Sequence, residues 1–494
     1  MKYTLQKARR FEKTHPLSPD ERPLYHLTGS VGWINDPNGF APYRGEYHLF
    51  FQYYPYDVKW GTMHWGHAKT RDFIRWEQLP AALAPEESYD NYGCFSGGAV
   101  ELPDGRHLLL YTGLRKELVN GRRVVTQSQC AAYGDGLDYR KVEGNPVIDR
   151  SLLPPGGSPI DFRDPKLWIE DGKLWAVMGN RCEDGSGAVL LFVSEDWGLH
   201  WRCRSTLARC RNRYGTMWEC PDFFRLDGKA VLITSPQEMR AQGLEFHPGN
   251  ANICLIGQLD PDRLELREER VQAVDYGLDF YAPQTLLTED GRRVLIGWMQ
   301  NWESCQARRP DLHFFGQMTV PRELRIENGR LCQLPVRELE RYRGSGVRYR
   351  GYLLQGETAL DGISGRCLDL TLRLRSAEAG RAMGDFTLSV AVGEGCFTSI
   401  RYDAAASLLC LDRTWSGFPS DTSHVRRFPV SLRDGALTLR VLLDRWSMEL
   451  FVNGGEQAAS CVLYTDQTAG GIRFAADAPL LLDADAYPLL FPTP

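Results

Sequence analysis

Five β-hairpin signals recur at nearly constant spacing, and this repeat limits the folds that the chain can adopt. In each signal, a glycine suited to a tight turn precedes a short, mostly apolar run. The glycines lie 56 to 67 residues apart, at Gly45, Gly105, Gly172, Gly228 and Gly291. Helical patterns are weak, and short strands bounded by turn residues dominate. A repeat of about 60 residues fits a four-stranded blade with long loops, so we predict a five-bladed β-propeller.

A second all-β unit is predicted after the repeat. Residues 334–344 are rich in Glu and Arg and are predicted to form a linker. From residue 345 to residue 494, alternating strand patterns return, and Asn453-Gly454 is a strong hairpin signal. We therefore predict an all-β chain, with a β-propeller at 1–333 and a C-terminal β-sandwich at 345–494.

Composition excludes several classes of function. The net charge of −5 and the dispersed Lys and Arg residues argue against nucleic-acid binding and against a membrane-binding patch. The charged N-terminal segment does not resemble a signal peptide, and the chain contains no apolar run long enough to span a bilayer. The 13 cysteines include no Cys-x-x-Cys pair, which predicts reduced thiols, no zinc site and a cytoplasmic location.

One polar residue occupies a similar place in every repeat, 8 to 10 residues before the turn glycine. In a propeller, that place corresponds to the inner strand of a blade, which faces the central channel. Equivalent residues would then converge on one pocket. The alternative is that these residues only suit the entry to a hairpin, since Asp, Asn, Pro and Gly all favour turns. The five residues are Asp36, Ser96, Asp164, Glu219 and Tyr281.

Three of these residues are carboxylates, which indicates glycoside hydrolysis. That reaction needs an ionised nucleophile and a protonated acid on either side of the scissile bond. Glu219 has apolar neighbours in the sequence, which suits a protonated acid, whereas Asp36 lies among Asn and backbone amide donors, which suits an ionised nucleophile. Asp164 follows Arg163 and is expected to stay charged. In that form it could hold sugar hydroxyls or stabilise a cationic transition state.

Aromatic residues could form the walls of such a pocket and stack on sugar rings, although core packing explains each of them equally well. These residues are Trp60, Phe95, Tyr281 and Trp298. His64 and His67 are three residues apart in a predicted strand, which places them on opposite faces and argues against a shared metal. The basic stretch 204–213 is interpreted as a solvated face, with a phosphate-binding surface as the alternative. The sequence contains no phosphate-binding glycine loop.

The motifs resemble those of glycoside hydrolase family 32, which includes invertases, sucrose-6-phosphate hydrolases and fructan hydrolases. The resemblance covers nearly the whole chain and rests on residues 33–39, 95–97, 162–165, 218–222 and 279–284. It implies that Asp36 is the nucleophile, Glu219 the acid/base and Asp164 the transition-state stabiliser. It also implies a fructose subsite lined by Asn35, Gln52, Trp60, Phe95, Ser96, Arg163, Cys220, Tyr281 and Trp298. One departure is Gly98, where the family often has Ser.

The expected protein is thus a retaining β-fructofuranosidase that needs neither cofactor nor metal and acts on a small sugar, sucrose or sucrose 6-phosphate. Short β-fructans are an alternative substrate. The residue patterns also leave open a five-bladed inverting glycosidase acting on arabinose or xylose polymers, and a non-catalytic sugar-binding propeller. The sequence does not choose between a monomer and a homodimer.

Overall fold

The computed structural model describes residues 3–305, 309, 311–417 and 423–491, and these residues form two all-β domains preceded by one helix. Within the described residues, which include all thirteen cysteines, no disulfide is formed. None of the described helices has the length and apolar character needed to cross a membrane. The predicted combination of a five-bladed propeller and a C-terminal sandwich is confirmed.

The N-terminal helix, α1 (Leu5–Thr14), was not predicted from the sequence. Its first turn is capped by Thr4, whose side chain accepts the N–H of Lys7. The Arg9 side chain donates to the carbonyl oxygen of Ala81 at 2.9 Å, which fixes the helix against the first blade. The helix therefore covers the outer edge of the propeller.

Five sheets form the blades, and each glycine of the repeat lies in the first hairpin of its blade with a positive φ. The first blade contains β1 (Gly32–Tyr43), β2 (Glu46–Tyr54), β3 (His64–Thr70) and β4 (Glu77–Leu83). The second contains β5 (Gly93–Glu101), β6 (His107–Val119), β7 (Arg122–Gly134) and β8 (Tyr139–Lys141). The third contains β9 (Gly157–Glu170), β10 (Lys173–Cys182), β11 (Gly187–Ser194) and β12 (Arg202–Arg209). A short 3-10 helix, Arg150–Leu152, precedes the third blade.

The fourth and fifth blades complete the ring. The fourth contains β13 (Trp218–Leu226), β14 (Lys229–Pro236), β15 (Ile253–Leu259) and β16 (Leu266–Ala273). The fifth begins with β17 (Tyr281–Leu287) and β18 (Arg293–Trp298), after which β19 (Phe314–Phe315) pairs in parallel with β1. It ends with β20 (Arg322–Glu327) and β21 (Arg330–Pro335). Because β19 joins the first blade, the chain itself closes the ring between its last and first blades.

Residues 336–346 connect the last strand of the propeller to the first strand of the sandwich. The last propeller strand ends at Pro335, just past the predicted boundary, and a 3-10 helix, Arg337–Tyr342, follows. The sandwich contains β22 (Val347–Thr358), β23 (Leu368–Ser376), β24 (Phe386–Gly393), β25 (Cys396–Asp403) and β26 (Leu408–Asp412). It continues with β27 (Val425–Pro429), β28 (Ala436–Asp444), β29 (Ser447–Val452), β30 (Gln457–Val462) and β31 (Gly471–Pro488).

The two layers of the sandwich share one long strand. The first part of β31 pairs with β24, and the second part pairs with β23. The strand β22 pairs with β31 along both parts. The ten strands are therefore connected by hydrogen bonds into one folded-over sheet, whose inner faces bury a core of Leu, Val, Ile and Phe side chains.

A buried histidine joins the two domains. His26, in the segment before β1, places Nδ1 2.8 Å from Asp444 and Nε2 2.8 Å from Glu449, and both carboxylates belong to the sandwich. Burial alone would lower the pKa of His26, but the hydrogen bonds to the two carboxylates raise it to about 9. At neutral pH this histidine is therefore a cation between two anions.

Arg322 extends this network and is itself completely buried. It lies 2.9 Å from Asp275 of the propeller and also pairs with Glu449 of the sandwich. The Ser460 hydroxyl donates to Asp275 at 2.8 Å. Breaking such a pair by removing one partner leaves an uncompensated buried charge, which costs roughly 3–5 kcal/mol.

The His26 contact predicts that stability falls in alkaline solution. The pKa of His26 is raised from 6.5 to about 9 on folding, so its stabilisation is complete below pH 6.5 and is lost as the pH rises through about 9. Urea unfolding between pH 6.5 and 9.5 should show the wild-type free energy of unfolding falling by about 3 kcal/mol more than that of His26→Gln. Parallel curves for the two proteins would contradict this assignment.

Candidate active site

A β-bulge interrupts each inner strand where it reaches the candidate site. In the third, fourth and fifth blades the hydrogen-bond register shifts across a residue and the proline that follows it. The residues before these prolines have left-handed φ angles of 65° at Asp164, 47° at Cys220 and 50° at Ala282. Residues other than glycine rarely adopt such angles. Bulges of this kind re-aim side chains, and here they direct consecutive residues toward one centre.

The bulges bring the predicted polar residues of the five repeats together. Asp36 accepts hydrogen bonds from Asn35 Nδ2 at 3.0 Å, from Ser96 Oγ at 2.7 Å and from Cys220 Sγ at 3.5 Å. These donors are side-chain groups from three blades. The asparagine was expected from the sequence, whereas the hydroxyl of Ser96 and the thiol of Cys220 stand where backbone amides were expected. Burial raises the pKa of Asp36, and repulsion from the nearby Glu219 raises it further.

Glu219 lies in a polar setting, so the expectation of an apolar neighbourhood was wrong. Its Oε1 accepts hydrogen bonds from Arg163 Nε at 3.0 Å and from Arg163 Nη2 at 2.9 Å. Its Oε2 accepts one from the Tyr281 hydroxyl at 2.6 Å. Consecutive residues of a strand point to opposite faces, so its apolar sequence neighbour Trp218 is not its spatial neighbour.

Asp164 is the third carboxylate of the cluster. Its Oδ2 accepts the N–H of Cys220 at 3.1 Å and lies 3.8 Å from Arg163 Nε. Burial raises the pKa of Asp164 to about 7 despite the attraction of Arg163, and repulsion from Glu219 and Asp36 contributes to the rise. Arg163 thus contacts Glu219 more closely than it contacts Asp164, and the expectation of a fully charged Asp164 is met only in part.

The remaining predicted residues surround this cluster in different ways. Gln52 is buried and donates to the carbonyl oxygen of Cys94 at 3.0 Å, which ties the first blade to the second. Trp298 is completely buried opposite Tyr281 in the sheet register. Trp60 is 44% exposed and meets Phe95 edge to face, with ring centroids 6.3 Å apart. Trp60 is therefore partly open to solvent beside Phe95, the residue directly before Ser96.

The departure at Gly98 has a structural reason. A Cβ atom at Gly98 would lie 2.9 Å from the carbonyl oxygen of Pro165 and 3.0 Å from the backbone nitrogen of Leu167. The second blade thus approaches the backbone of the third blade directly after Asp164. A larger residue at position 98 would require that backbone to move.

Several residues that hold the predicted ones in place were not predicted from the sequence. Trp33 Nε1 donates to Asn35 Oδ1 at 2.8 Å. Arg163 Nη1 contacts Asp161 at 3.1 Å and Gln127 at 3.3 Å. The two-residue period of a strand could have indicated Asp161, which lies two positions before Arg163. Gln127 comes from another blade, and no local pattern indicates it.

The histidines and the basic stretch singled out in the sequence lie apart from this cluster. His67 Nε2 is 2.9 Å from His48 Nδ1, whereas His64 Nδ1 is 2.9 Å from the Thr62 carbonyl oxygen. The described part of the chain contains no group of three or more residues suited to hold a metal ion. Most of the basic stretch 204–213 belongs to β12, the outermost strand of the third blade.

The clustered carboxylates predict that Asp164→Asn stabilises the protein. The folded-state pKa of Asp164 is raised from 3.8 to about 7, so ionisation of Asp164 destabilises the fold increasingly as the pH rises from 3.8 to about 7, and the effect is complete above that pH. The gain in free energy of unfolding should be absent below about pH 4, grow with rising pH and reach at least about 1 kcal/mol at pH 8. Thermal unfolding of both proteins at pH 4 and pH 8 tests this. Equal melting temperatures at pH 8 would contradict it.

Comparison with known proteins identifies the family. The model for the glycosyl hydrolases family 32 N-terminal domain matches residues 26–335, and the model for the family 32 C-terminal domain matches residues 338–487. Raffinose invertase of Escherichia coli is 36% identical over 450 residues, covering 90% of this chain and 89% of the relative. Sucrose-6-phosphate hydrolase of Zymomonas mobilis is 35% identical, covering 88% and 85%.

Solved structures agree with these matches. A family 32 β-fructofuranosidase of Bombyx mori has a TM-score of 0.83 and 33% identity, covering 98% of this chain and 97% of that chain. A sucrose-6-phosphate hydrolase of Lactobacillus gasseri also has a TM-score of 0.83, at 25% identity, covering 98% of this chain and 96% of that chain. The chain therefore belongs to glycosyl hydrolase family 32 and is a glycoside hydrolase of the β-fructofuranosidase type.

Proposed function

We propose that this protein releases fructose from sucrose or sucrose 6-phosphate by a retaining double displacement. The observation that supports this most directly is the meeting of three carboxylates, each with its own hydrogen-bond donors, at the bulges of three inner strands. Two carboxylates on either side of a glycosidic bond are the minimum set for this chemistry.

Asp36 is assigned as the nucleophile. A carboxylate oxygen of Asp36 attacks the anomeric carbon of the fructosyl unit, and the bond from that carbon to the leaving oxygen breaks. The donors Asn35, Ser96 and Cys220 fix the orientation of the carboxylate and favour its anionic form. A covalent fructosyl-enzyme results.

Glu219 is assigned as the acid and base. It protonates the leaving oxygen in the first step, and in the second step it takes a proton from the water that attacks the anomeric carbon and restores the Asp36 carboxylate. Arg163 and Tyr281 orient it through both of its oxygens. Retention requires about 5–5.5 Å between the carboxyl groups of Asp36 and Glu219.

Asp164 is assigned as a transition-state stabiliser and a ligand for sugar hydroxyls. Its anionic form would attract the positive charge that develops on the fructosyl ring. The Trp60 face supplies an exposed apolar surface on which a sugar could pack.

The relatives support a small fructoside as the substrate. A mutant of the Bombyx mori enzyme has been solved in complex with sucrose. Levanase of Bacillus subtilis is 33% identical over 92% of this chain. This relative supports short β-fructans as the alternative substrate. The intact set of carboxylates argues against a non-catalytic sugar-binding propeller, and the family assignment argues against an inverting polymer hydrolase.

We also propose a cytoplasmic location. The absence of a disulfide among the thirteen described cysteines supports a reducing compartment. Such a location favours a small imported sugar over a polymer.

The proposed nucleophile predicts the effect of Asp36→Asn. Loss of the attacking carboxylate should lower kcat by several orders of magnitude, while circular dichroism and melting temperature show an intact fold. Fructose release from sucrose measures the loss. Asp104→Asn, the same change at an exposed hairpin turn, should keep wild-type turnover. Wild-type turnover in Asp36→Asn would contradict the assignment of Asp36.

The substrate is decided by measuring kcat/KM on sucrose and on sucrose 6-phosphate side by side. A preference of tenfold or more for the phosphate, about 1.4 kcal/mol of transition-state binding, would assign the enzyme to phosphorylated sucrose. Equal or better turnover of sucrose would make it a general invertase. Turnover of neither sugar would contradict the proposal and make short β-fructans the next substrates to test.

A further inference from the structure

Two buried hydroxyls outside the predicted site occupy matching positions in the second and fourth blades. Thr112 on β6 pairs with Phe95, and Ser235 on β14 pairs with Glu219. In both blades, the partner is the inner-strand residue directly before the bulge. Both Thr112 and Ser235 are completely buried, and neither belongs to the motifs that resemble family 32. Both hydroxyls therefore lie beside a bulge that carries site residues.

Thr112 connects the backbones of two blades. Its Oγ1 accepts the N–H of Asp164 at 2.9 Å. The same oxygen lies 3.1 Å from the Ser96 carbonyl oxygen and 2.9 Å from Gln129 Oε1, so its proton is donated within its own blade. Ser96 in turn donates its hydroxyl proton to Asp36. One buried hydroxyl thus contacts the backbone of Asp164 and the backbone of a residue that holds Asp36.

Ser235 makes the equivalent contact in the next part of the ring. Its Oγ accepts the N–H of Ala282 at 3.0 Å. Its carbonyl oxygen lies 3.2 Å from the hydroxyl of Tyr281, the residue directly before Ala282. The same tyrosine hydroxyl contacts Glu219 Oε2 at 2.6 Å. Ser235 therefore holds both the backbone next to Tyr281 and the side-chain oxygen with which Tyr281 orients Glu219.

The third blade, which lies between these two, offers no such hydroxyl to the bulge that follows it. Gly179 occupies the position opposite the residue before the bulge, and a Cβ there would lie 2.2 Å from the Trp218 carbonyl oxygen. With no side chain available, the N–H of Cys220 is accepted by Asp164 itself at 3.1 Å. The three left-handed bulge residues, Asp164, Cys220 and Ala282, thus each donate their N–H to a side chain of the preceding blade.

We propose that Thr112 and Ser235 are positioning residues for the reaction, in a role that rests on the proposed function. Each accepts the N–H of a left-handed bulge residue in the next blade and thereby sets the direction of the adjacent site residue. Thr112 fixes the direction of the Asp164 side chain, and Ser235 fixes the direction of the Tyr281 side chain. An unpaired N–H in the buried site would allow the bulge to rotate toward another acceptor, which would displace these side chains.

Thr112→Val tests the proposal, because valine keeps the shape of threonine and removes the acceptor. We expect kcat to fall about tenfold, which corresponds to ~1.4 kcal/mol, with KM within about twofold of the wild-type value. Thr112→Ser retains the hydroxyl and should keep kcat within about twofold. A crystal structure of Thr112→Val should show the Asp164 carboxyl group displaced, independently of any activity.

Thr288→Val is the matched control. Thr288 is also buried and its hydroxyl accepts the N–H of Arg292 at 2.8 Å, but it lies at the hairpin turn of the fifth blade. Both valine variants should lose thermal stability, and only Thr112→Val should lose kcat. Ser235→Ala should also lower kcat, by about fivefold, the loss expected for one hydrogen bond.

Several results would overturn the proposal. Full kcat with an unmoved Asp164 in Thr112→Val removes the role of Thr112, as does an equal loss of kcat in Thr112→Ser. Full kcat in Ser235→Ala removes the role of Ser235. If the wild-type protein releases no fructose from any β-fructoside, the proposed function fails, and the position of Asp164 in the Thr112→Val structure alone decides the positioning role.

Discussion

The β-bulges of the inner strands are the feature on which the site depends. A regular strand would send alternate side chains into the sheet packing and separate the polar residues of each motif. The bulges place adjacent polar residues at one centre, at the cost of left-handed backbone at Asp164, Cys220 and Ala282. Such conformations cost about 1–3 kcal/mol each and persist only where the surroundings hold them. Here the preceding blade supplies a hydrogen-bond acceptor for each of them.

This geometry leaves the cluster with more negative than positive charge. Asp36, Asp164 and Glu219 lie together, and Arg163 is hydrogen-bonded to Glu219 and lies 3.8 Å from Asp164. Burial makes this arrangement unfavourable in the substrate-free protein, and the pKa values of Asp36 and Asp164 rise as a result. A transition state with positive charge on the sugar ring would relieve that repulsion. The same electrostatic strain therefore reduces stability and favours the proposed reaction.

The regular part of this architecture could be predicted from the sequence because it is periodic. The spacing of the turn glycines predicted the number of blades. The nearly constant distance from each polar residue to its turn glycine predicted the positions of the inner strands. The contacts of Glu219 could not be predicted in this way, because Arg163 and Tyr281 come from the neighbouring blades. Gln127 and Thr112 were missed for the same reason. Local patterns identify residues that share a strand, whereas the site is assembled across strands that only the closed ring brings together.

The sandwich takes part in this assembly through buried charge. Asp279 lies two residues before Tyr281 and is held by Arg413 and by the N–H of Val462, both from the sandwich. The Ser304 hydroxyl donates to the other oxygen of Asp279 at 2.8 Å. Since a buried carboxylate that loses its charged partner is strongly destabilised, the sandwich stabilises the segment that leads into the innermost strand of the fifth blade. The second domain therefore helps to set the position of Tyr281, and through it the orientation of Glu219.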